Sequence, residues 1–338
     1  MQISTTLDAI SVLSPTDIWT SGAGYAPLVE HWNGRQWRVW WMAGSGPTSF
    51  HVVHDGELGL ALAGGALSGI VALSDRNVWA VGYSDSGVII VHWDGRRWHT
   101  VQDTHSGQDL LAVSAVSADD IWALGEAAGA SSKAFVERWN GRRWETVRTT
   151  FSESTESPSI LAVATDDVWA GGSMRGKHAL IQHWNGRHWR AFRTALSDAL
   201  NPITGFAESG ASDIWAVSLF GALLRWDRDA WRMVHGSVKS PIVIYGAAVN
   251  GDRLFAIGDV TRGSSASHAI SENWNGSDLT VTRLPEPNRT WQSELNGVGA
   301  TSSQAWTVGD YTRIPANSGL TYPLIERVNF CRPTRLSS

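Results

Sequence analysis

The sequence predicts an all-β protein, a seven-bladed β-propeller whose blades are four-stranded antiparallel sheets. A motif of the type Asp-Ile-Trp recurs seven times, and each copy is followed after a variable gap by a motif of the type Trp-Asn-Gly-x-x-Trp. Successive copies of the first motif are 60, 43, 47, 46, 40 and 51 residues apart. Periods in the forties that contain strand-like alternation are typical of propeller blades. Helical spacing of apolar residues is absent from the copies.

Two positions mark each unit. We call the large residue of the first motif the anchor residue and the first Trp of the second motif the hairpin tryptophan. The anchor residues are Trp19, Trp79, Trp122, Trp169, Trp215, Phe255 and Trp306. The hairpin tryptophans are Trp32, Trp93, Trp139, Trp184, Trp226 and Trp274, and Val328 replaces the seventh. One domain, 1–338, is predicted, with blades at approximately 6–42, 67–102, 109–148, 159–194, 202–235, 243–284, and 294–330 together with 1–4.

The third unit shows the elements of a blade in chain order. Residues 110–115 and 121–125 alternate as the first two strands, and residues 134–139 and 143–148 follow as the third and fourth. The turn between the third and fourth strands contains Asn-Gly in most units and Asp-Gly in the second. This pair predicts a two-residue type I′ turn.

In such a turn Trp139 would lie opposite Arg142, and Trp144 would be its diagonal neighbour on the same face. The same pairs recur at Trp32 and Trp37, Trp93 and Trp98, and Trp184 and Trp189. Their fixed positions favour packing between blades over the alternative, platforms for sugars. His31, His92 and His183 precede hairpin tryptophans where other units have Arg. Since a metal ligand would not alternate with Arg, these histidines are predicted to be solvated or to pack between blades.

The ends of the chain are predicted to pair and close the ring. The last unit has three clear strands and a poor fourth. Residues 1–4 could supply that strand, and so could residues 332–336.

Composition excludes several classes of protein. A net charge of -5 and a pI near 6.1 argue against nucleic-acid binding. The single Cys331 excludes an intramolecular disulfide. The N-terminus lacks the features of a signal peptide, and no apolar run reaches the roughly 20 residues of a membrane span. We therefore expect a cytoplasmic protein. We expect no cofactor, because phosphate-binding loops are absent, and the oligomeric state stays open.

The motifs at 120–125 (Asp-Ile-Trp-Ala-Leu-Gly) and 138–144 (Arg-Trp-Asn-Gly-Arg-Arg-Trp) resemble the repeats of tryptophan-rich bacterial propellers. Those propellers are loosely related to the kelch and galactose-oxidase group. The resemblance covers essentially the whole chain and implies the architecture. It implies no activity, because such proteins do not share one. The fifth unit and the last two depart from the pattern.

The two rims of the predicted wheel differ. Loops between first and second strands, and between third and fourth strands, are alike from unit to unit and form what we call the uniform rim. Loops between second and third strands, and from blade to blade, differ in length and content and form the variable rim. Loops that vary over a fixed scaffold commonly carry binding sites. Neutral drift is the alternative explanation.

One position on the variable rim is predicted to face the central channel. Each first strand begins with a variable residue that precedes a small one. The variable residues are Asp8, Ser68, Leu111, Leu161, Thr204, Tyr245 and Asn296. Five polar residues thus face two leucines, whereas a purely structural ring would repeat one residue type. This asymmetry predicts a single pocket; ordinary variation at strand ends is the alternative.

The long first gap contains a second candidate. Residues 49–62, with Asp55-Gly56 at their centre, predict a hairpin that could fold over the pocket as a lid. His54 would then lie opposite Glu57, a pair suited to proton transfer near neutral pH. A surface hairpin without a role in chemistry is the alternative. His51 and His54 form only a weak metal motif, because zinc needs three or four ligands, and we expect no metal site.

Three functions remain open. The first is binding of a small organic molecule, such as a carbohydrate or another natural product, in the channel pocket, with or without cofactor-free acid–base catalysis. Its candidate catalytic residues are His54, Glu57 and Asp8, and its candidate ligand contacts are Ser68, Thr204, Tyr245, Asn296, Trp40, Trp41, His51 and Trp291. The second is a multivalent lectin, and the third is a platform for protein–protein interaction. A lectin would repeat an aromatic residue at one loop position, but Tyr25, Tyr83, Phe151, Trp291 and Tyr311 stand at unmatched places.

Overall fold

A computed structural model confirms seven antiparallel sheets arranged as the blades of a ring. Consecutive strands are neighbours in every sheet, which places both rims as the sequence predicts. The structure describes residues 4–43, 51–53, 64–84, 87–101, 108–127, 133–149, 159–173, 179–194, 196, 201–210, 212–237, 242–250, 253–261, 267–285, 291–301, 304–313 and 320–329. Within these ranges no helix is long and apolar enough to cross a membrane.

The first four blades contain seventeen of the strands. These are β1 (Thr6–Ser14), β2 (Asp17–Ala23), β3 (Pro27–Trp32), β4 (Trp37–Ala43) and β5 (His51–Val53) in blade 1; β6 (Gly65–Ser74), β7 (Asn77–Ser84), β8 (Gly87–Trp93) and β9 (Trp98–Thr100) in blade 2; β10 (Gln108–Ser117), β11 (Asp120–Ala127), β12 (Ala134–Trp139) and β13 (Trp144–Val147) in blade 3; and β14 (Ser159–Ala164), β15 (Asp167–Ser173), β16 (Ala179–Trp184) and β17 (Trp189–Arg193) in blade 4.

The remaining three blades complete the ring, and the described part of the last one has three strands. These are β18 (Ile203–Glu208), β19 (Ile214–Ser218), β20 (Leu223–Trp226) and β21 (Trp231–His235) in blade 5; β22 (Ile242–Asn250), β23 (Arg253–Thr261), β24 (Ser267–Trp274) and β25 (Leu279–Arg283) in blade 6; and β26 (Trp291–Ala300), β27 (Gln304–Arg313) and β28 (Thr321–Asn329) in blade 7.

Blade 1 has a fifth strand at its outer edge. β5 pairs with β4 in antiparallel register, with Ala43 opposite His51 and Trp41 opposite Val53. This strand is the described part of the predicted hairpin at 49–62. Its other residues, including His54 and Glu57, lie outside the described residues.

Hydrogen bonds join the two ends of the chain where blade 7 meets blade 1. The Thr5 N–H donates to the carbonyl oxygen of Thr321 over 2.9 Å, and the Thr321 N–H donates to Ser4 Oγ over 3.0 Å. Residues 1–3 and 332–336, from the two candidates for a fourth strand of blade 7, lie outside the described residues. The described contacts thus hold the N-terminal segment against β28.

Each anchor tryptophan of the regular units is buried against the hairpin pair of the next blade, which confirms the predicted packing between blades. Trp122 of blade 3 is 0% exposed. Its ring centroid lies 5.6 Å from Trp184 and 6.0 Å from Trp189, both in blade 4. Trp19, Trp79 and Trp169 make equivalent contacts with the pairs of blades 2, 3 and 5. Such contacts contribute about 0.5–1.5 kcal/mol per pair beyond the buried area.

The residue before the hairpin tryptophan covers the other face of the anchor ring. His31 stacks on Trp19 with 3.8 Å between ring centroids, and its Nε2 lies 2.8 Å from Asp17 Oδ1. His92 and His183 stack likewise on their anchors. In blade 3 the Arg138 guanidinium lies 4.9 Å from the Trp122 ring. Histidine and arginine alternate because both present a flat, hydrogen-bonding group to the indole face.

The predicted type I′ turn is wrong. Trp139 pairs directly with Trp144, so four residues form the turn. Asn140 Oδ1 accepts hydrogen bonds from the backbone N–H groups of Arg142 and Arg143 over 3.0 and 3.1 Å. Only the glycine of the Asn-Gly pair has a positive φ, 84° at Gly141. The asparagine side chain thus takes the place of a backbone turn partner, which favours the longer loop.

Replacement of a fully buried anchor should destabilise the ring strongly. We expect Trp122→Ala to lower the free energy of unfolding by about 3–5 kcal/mol, because it leaves a large cavity between blades 3 and 4. Urea denaturation followed by circular dichroism measures this loss. Val281→Ala is the control, since Val281 is 43% exposed, and it should change stability by less than about 0.5 kcal/mol.

The turn of blade 5 offers a stabilising substitution. Arg228 is the one non-glycine residue with positive φ, 78°, in the part of the chain that the structure describes, and it stands where other blades have glycine. We expect Arg228→Gly to raise the free energy of unfolding by about 1 kcal/mol, because glycine adopts this conformation without strain.

The matched control is the same position in blade 6. Gly276 has a φ of +100°, and no atom lies within 4 Å of the place where a Cβ would stand. Gly276→Ala should therefore destabilise by about 1 kcal/mol through backbone strain alone. Equal stability of both variants and the parent protein in urea would contradict this account of the turn.

Candidate functional site

A cavity of about 320 Å³ occupies the centre of the ring. All seven first strands line it: β1, β6, β10, β14, β18, β22 and β26. The strands approach closely because small residues stand where they converge. A Cβ on Gly205, for example, would come within 3.1 Å of the backbone of Gly246 and Ala247 in the next blade. Crowding at the axis explains the small residue that the sequence repeats.

A β-bulge turns the variable residues into the cavity. In six blades the pairing between first and second strands shifts just before the small residue, as between Leu7 and Ala9 in β1 and between Leu295 and Gly297 in β26. The other shifts lie in β6, β10, β18 and β22. A bulged residue has no opposite partner in the ladder, and bulges commonly re-aim side chains at binding sites. Six predicted residues line the cavity: Asp8, Ser68, Leu111, Thr204, Tyr245 and Asn296.

The prediction for blade 4 needs a correction. Leu161 pairs with the anchor Trp169, whereas in blade 3 the residue opposite the anchor is Ser114, two positions beyond the small Ala112. The residue of blade 4 that matches Ala112 is therefore Ser159. Leu161 packs into the core between blades 4 and 5, and Ser159 lines the cavity instead. In sequence, Leu161-Ala162 matches the motif of a variable residue followed by a small one. The strand register nevertheless places Leu161 away from the channel.

Second strands add acidic groups that sequence reasoning missed. Asp310 of β27 accepts a hydrogen bond from the side chain of Asn296, and Asp259 of β23 accepts one from Tyr245. Asp259 and Asp310 both stand four residues after their anchors. The same position holds Ala23, Tyr83, Glu126, Ser173 and Leu219 in the other blades. Comparison of the units would have identified this position in the sequence, because the residue before it is almost always glycine.

Burial and like charges oppose ionisation of these acids. Burial raises the pKa of Asp8 to about 6, and a hydrogen bond from Thr6 opposes this rise in part. Burial, and then the charges of Glu294 and Asp8, raise the pKa of Asp310 to about 6. Burial also raises the pKa of Asp259. The pKa of Tyr245 is raised by burial and by the charge of Asp259, so its hydroxyl is a hydrogen-bond donor at neutral pH.

Two buried polar atoms near the cavity have no partner in the described structure. Thr204 is 8% exposed and lines the cavity, yet its Oγ1 makes no hydrogen bond. Asp259 is 3% exposed, and its Oδ1 is likewise unpartnered. A buried polar group without a partner costs about 1–3 kcal/mol. Such groups are explained by an ordered water or ion, by strain or by a functional role.

Two of the other predicted site residues, Trp40 and Trp41, lie in the cores between blades instead of at the cavity. Trp40 lies in the core between blades 1 and 2, and Trp41 lies in a core with Leu7 and Val308. The backbone of Trp291 begins β26 opposite Arg313, and that of His51 belongs to β5. Their side chains, and all of His54 and Glu57, lie outside the described residues.

Comparison with known proteins supports the fold alone. No family model matches the chain, and a search of curated proteins finds no match. Among solved structures, "YCF48 bound to D1 peptide" superposes with a TM-score of 0.58 at 12% identity, over 91% of each chain. The six-bladed fucose-recognising lectin of Aleuria aurantia superposes with a TM-score of 0.51 at 12% identity, over 83% of this chain and 96% of the lectin. Both are similar in architecture.

Neutralising a buried acid of the site should stabilise the protein at neutral pH. The pKa of Asp310 is about 6 in the folded protein against 3.8 for a free side chain. Its contribution to stability is therefore fully present below pH 3.8 and is lost as the pH rises through 6. We expect Asp310→Asn to raise the free energy of unfolding by about 1–2 kcal/mol at pH 7.5, and to change it little at pH 4.

Urea denaturation at both pH values measures this effect. Asp75→Asn is the control, because its carboxylate is 66% exposed and should contribute less than about 0.5 kcal/mol at either pH. A variant Asp310→Asn that is less stable than the parent at pH 7.5 would show that the carboxylate is well compensated in the folded state.

Proposed function

We propose that the chain binds one small organic molecule, such as a carbohydrate or another natural product, at the variable-rim mouth of the central channel. The observation that carries this proposal is the asymmetry of the cavity lining. Seven equivalent strands converge there, but the bulge position holds Asp8, Ser68, Leu111, Thr204, Tyr245 and Asn296. A site with one arrangement of polar groups recognises one ligand pose.

The scaffold is suited to such a site. Rigid strands hold the lining residues, and sites on strands keep their geometry better than sites on loops. Asn296 is positioned by its hydrogen bond to the carbonyl oxygen of Leu7 over 3.0 Å. Tyr245 is positioned by its bond to Asp259. Polar groups that are oriented before binding lose little entropy when a ligand arrives.

The site could also transfer protons. The pKa of Asp8, about 6, lies near the pH at which a general acid or base is effective. In the proposal, Asp8 would be the proton-transfer group of a cofactor-free reaction, and His54 and Glu57 stay the predicted partners outside the described residues. A binder and an enzyme both bind their ligand first, so a binding measurement tests both.

The alternatives have less support. A multivalent lectin would repeat one aromatic position, but Tyr83, Tyr311 and Tyr25 stand four, five and six residues after their anchors. A protein-interaction platform would favour an apolar variable rim. Of the four exposed large apolar side chains among the described residues, Met233, Val234 and Val281 lie on the fourth strands of blades 5 and 6, at the outside of the wheel. The fourth, Leu13, lies at the uniform-rim end of β1.

Removal of a lining side chain should abolish binding without unfolding the ring. The protein is incubated with a metabolite extract, washed and analysed by native mass spectrometry, which reports a bound mass. We expect Asn296→Ala and Thr204→Val to lower its occupancy at least tenfold, which corresponds to about 1.4 kcal/mol. Thr204→Val should not reduce stability, because the hydroxyl has no partner to lose.

Arg35→Ala is the control, because Arg35 is exposed in the third-to-fourth turn on the uniform rim and should leave occupancy unchanged. Equal occupancy in all variants would place the ligand elsewhere. Loss of stability without loss of binding would make the lining residues structural. Either result would overturn the proposal.

A further inference from the structure

We propose that the molecule bound at the channel mouth is an organic cation with several N–H donors, which are shared among carboxylates of blades 1, 6 and 7. This inference rests on the proposed function, since it names the class of ligand for the same site. Its basis is the placement of four acidic side chains in the consecutive blades 6, 7 and 1, of which Asp8 lines the cavity, together with the unpartnered hydroxyl of Thr204 in the adjoining blade 5.

The four acids come from neighbouring blades and lie at one rim. Asp8 lines the cavity from blade 1. Asp310 bonds to the lining residue Asn296 in blade 7, and Glu294 lies directly opposite Asp310 in the antiparallel register. Asp259 bonds to the lining residue Tyr245 in blade 6. First strands begin and second strands end at the variable rim, so all four lie towards its mouth.

No cation of the described structure compensates these acids. Lys, Arg and His are absent from the described lining of the cavity. The charges that affect Asp310 are those of Glu294 and Asp8, and the charge that affects Glu294 is that of Asp259. Like charges directly opposite in a sheet are destabilising, and a buried charge is costly without a partner. A bound cation would relieve both costs, which gives it a larger gain in free energy than a neutral molecule.

The remaining lining of the cavity accounts for the rest of such a ligand. Thr204 of blade 5 is 8% exposed and lines the cavity, and its Oγ1 has no partner. Leu111 of blade 3 and Phe206 of blade 5 add apolar surface. A hydroxyl beside apolar groups is suited to an uncharged carbon chain that ends in a polar atom. The ring of Tyr245 also lines the cavity, and its face could attract the cation.

A metal ion fits this arrangement less well. The described residues contain no group of three or more His, Cys, Asp or Glu side chains placed to hold one. The acids are also spread over three blades. An organic cation spans such a distance with several N–H donors, whereas a metal ion needs its ligands within about 2.0–2.6 Å of one point.

The test compares three molecules of equal length and different charge. Putrescine, 1,4-butanediol and succinate are titrated into the full chain at pH 7.5 and low ionic strength, and heats are measured by calorimetry. We expect putrescine to bind at least tenfold more tightly than butanediol, and succinate not to bind at up to about 10 mM. Asp8→Asn and Asp310→Asn should each weaken putrescine binding at least tenfold. Asp75→Asn, an exposed acid at the uniform rim, should leave it unchanged.

The outcomes separate this inference from the proposed function. If the mass-spectrometry test finds a neutral or anionic molecule whose occupancy depends on Asn296, the proposed function stands and the cationic class is wrong. If putrescine binds no more tightly than butanediol, or if Ca²⁺ displaces it at equal concentration, the inference is overturned. If Asp310→Asn and Asp75→Asn weaken binding equally, putrescine binds by general attraction to an acidic surface, which also overturns it.

Discussion

The structure depends on the contact between an anchor tryptophan and the tryptophan pair of the next blade. In blade 3 the Trp122 ring is covered on one side by Arg138 of its own sheet and on the other by Trp184 and Trp189 of blade 4. The same contact joins blade 1 to 2, blade 2 to 3 and blade 4 to 5. Because the contact is repeated, the ring is rigid without disulfides or helices in the described residues.

Because the interfaces between blades are rigid, the strands at the axis can hold bulges and buried acids that lower the stability of the protein. The bulges of six first strands interrupt the sheet ladder, and they turn polar side chains into a cavity where burial raises the pKa of Asp8 and Asp310. Both features reduce stability. A scaffold with large interface energies tolerates them, and such features are typical of binding sites. Burial disfavours the ionised form of these acids although each accepts a hydrogen bond, and the Thr204 hydroxyl has no partner in the described structure; these costs favour a role in binding.

Repetition explains both the success and the limits of sequence reasoning. Residues that pack between blades recur, so the tryptophan positions predicted the number of blades and their interfaces. The turns were predicted less well, because Asn-Gly is compatible with a two-residue and a four-residue loop, and only the pairing of Trp139 with Trp144 distinguishes them. Leu161 was misplaced for a related reason. A shift of three residues along a strand changes few local preferences but moves a side chain from the channel to the core.

By itself, the sequence determined the all-β class, the seven units, the small residues at the axis and the variable residues beside them, because each is a short-range pattern repeated at a constant place. Only the tertiary structure decided that Leu161 lies in the core instead of the channel and that acids of second strands stand beside the channel. Asp259 and Asp310 belong to second strands and reach the channel through Tyr245 and Asn296. Asp8, Asp259 and Asp310 are about 50 residues or more apart in sequence. Their proximity follows from closure of the ring, and local patterns carry no information about which blades become neighbours at the join.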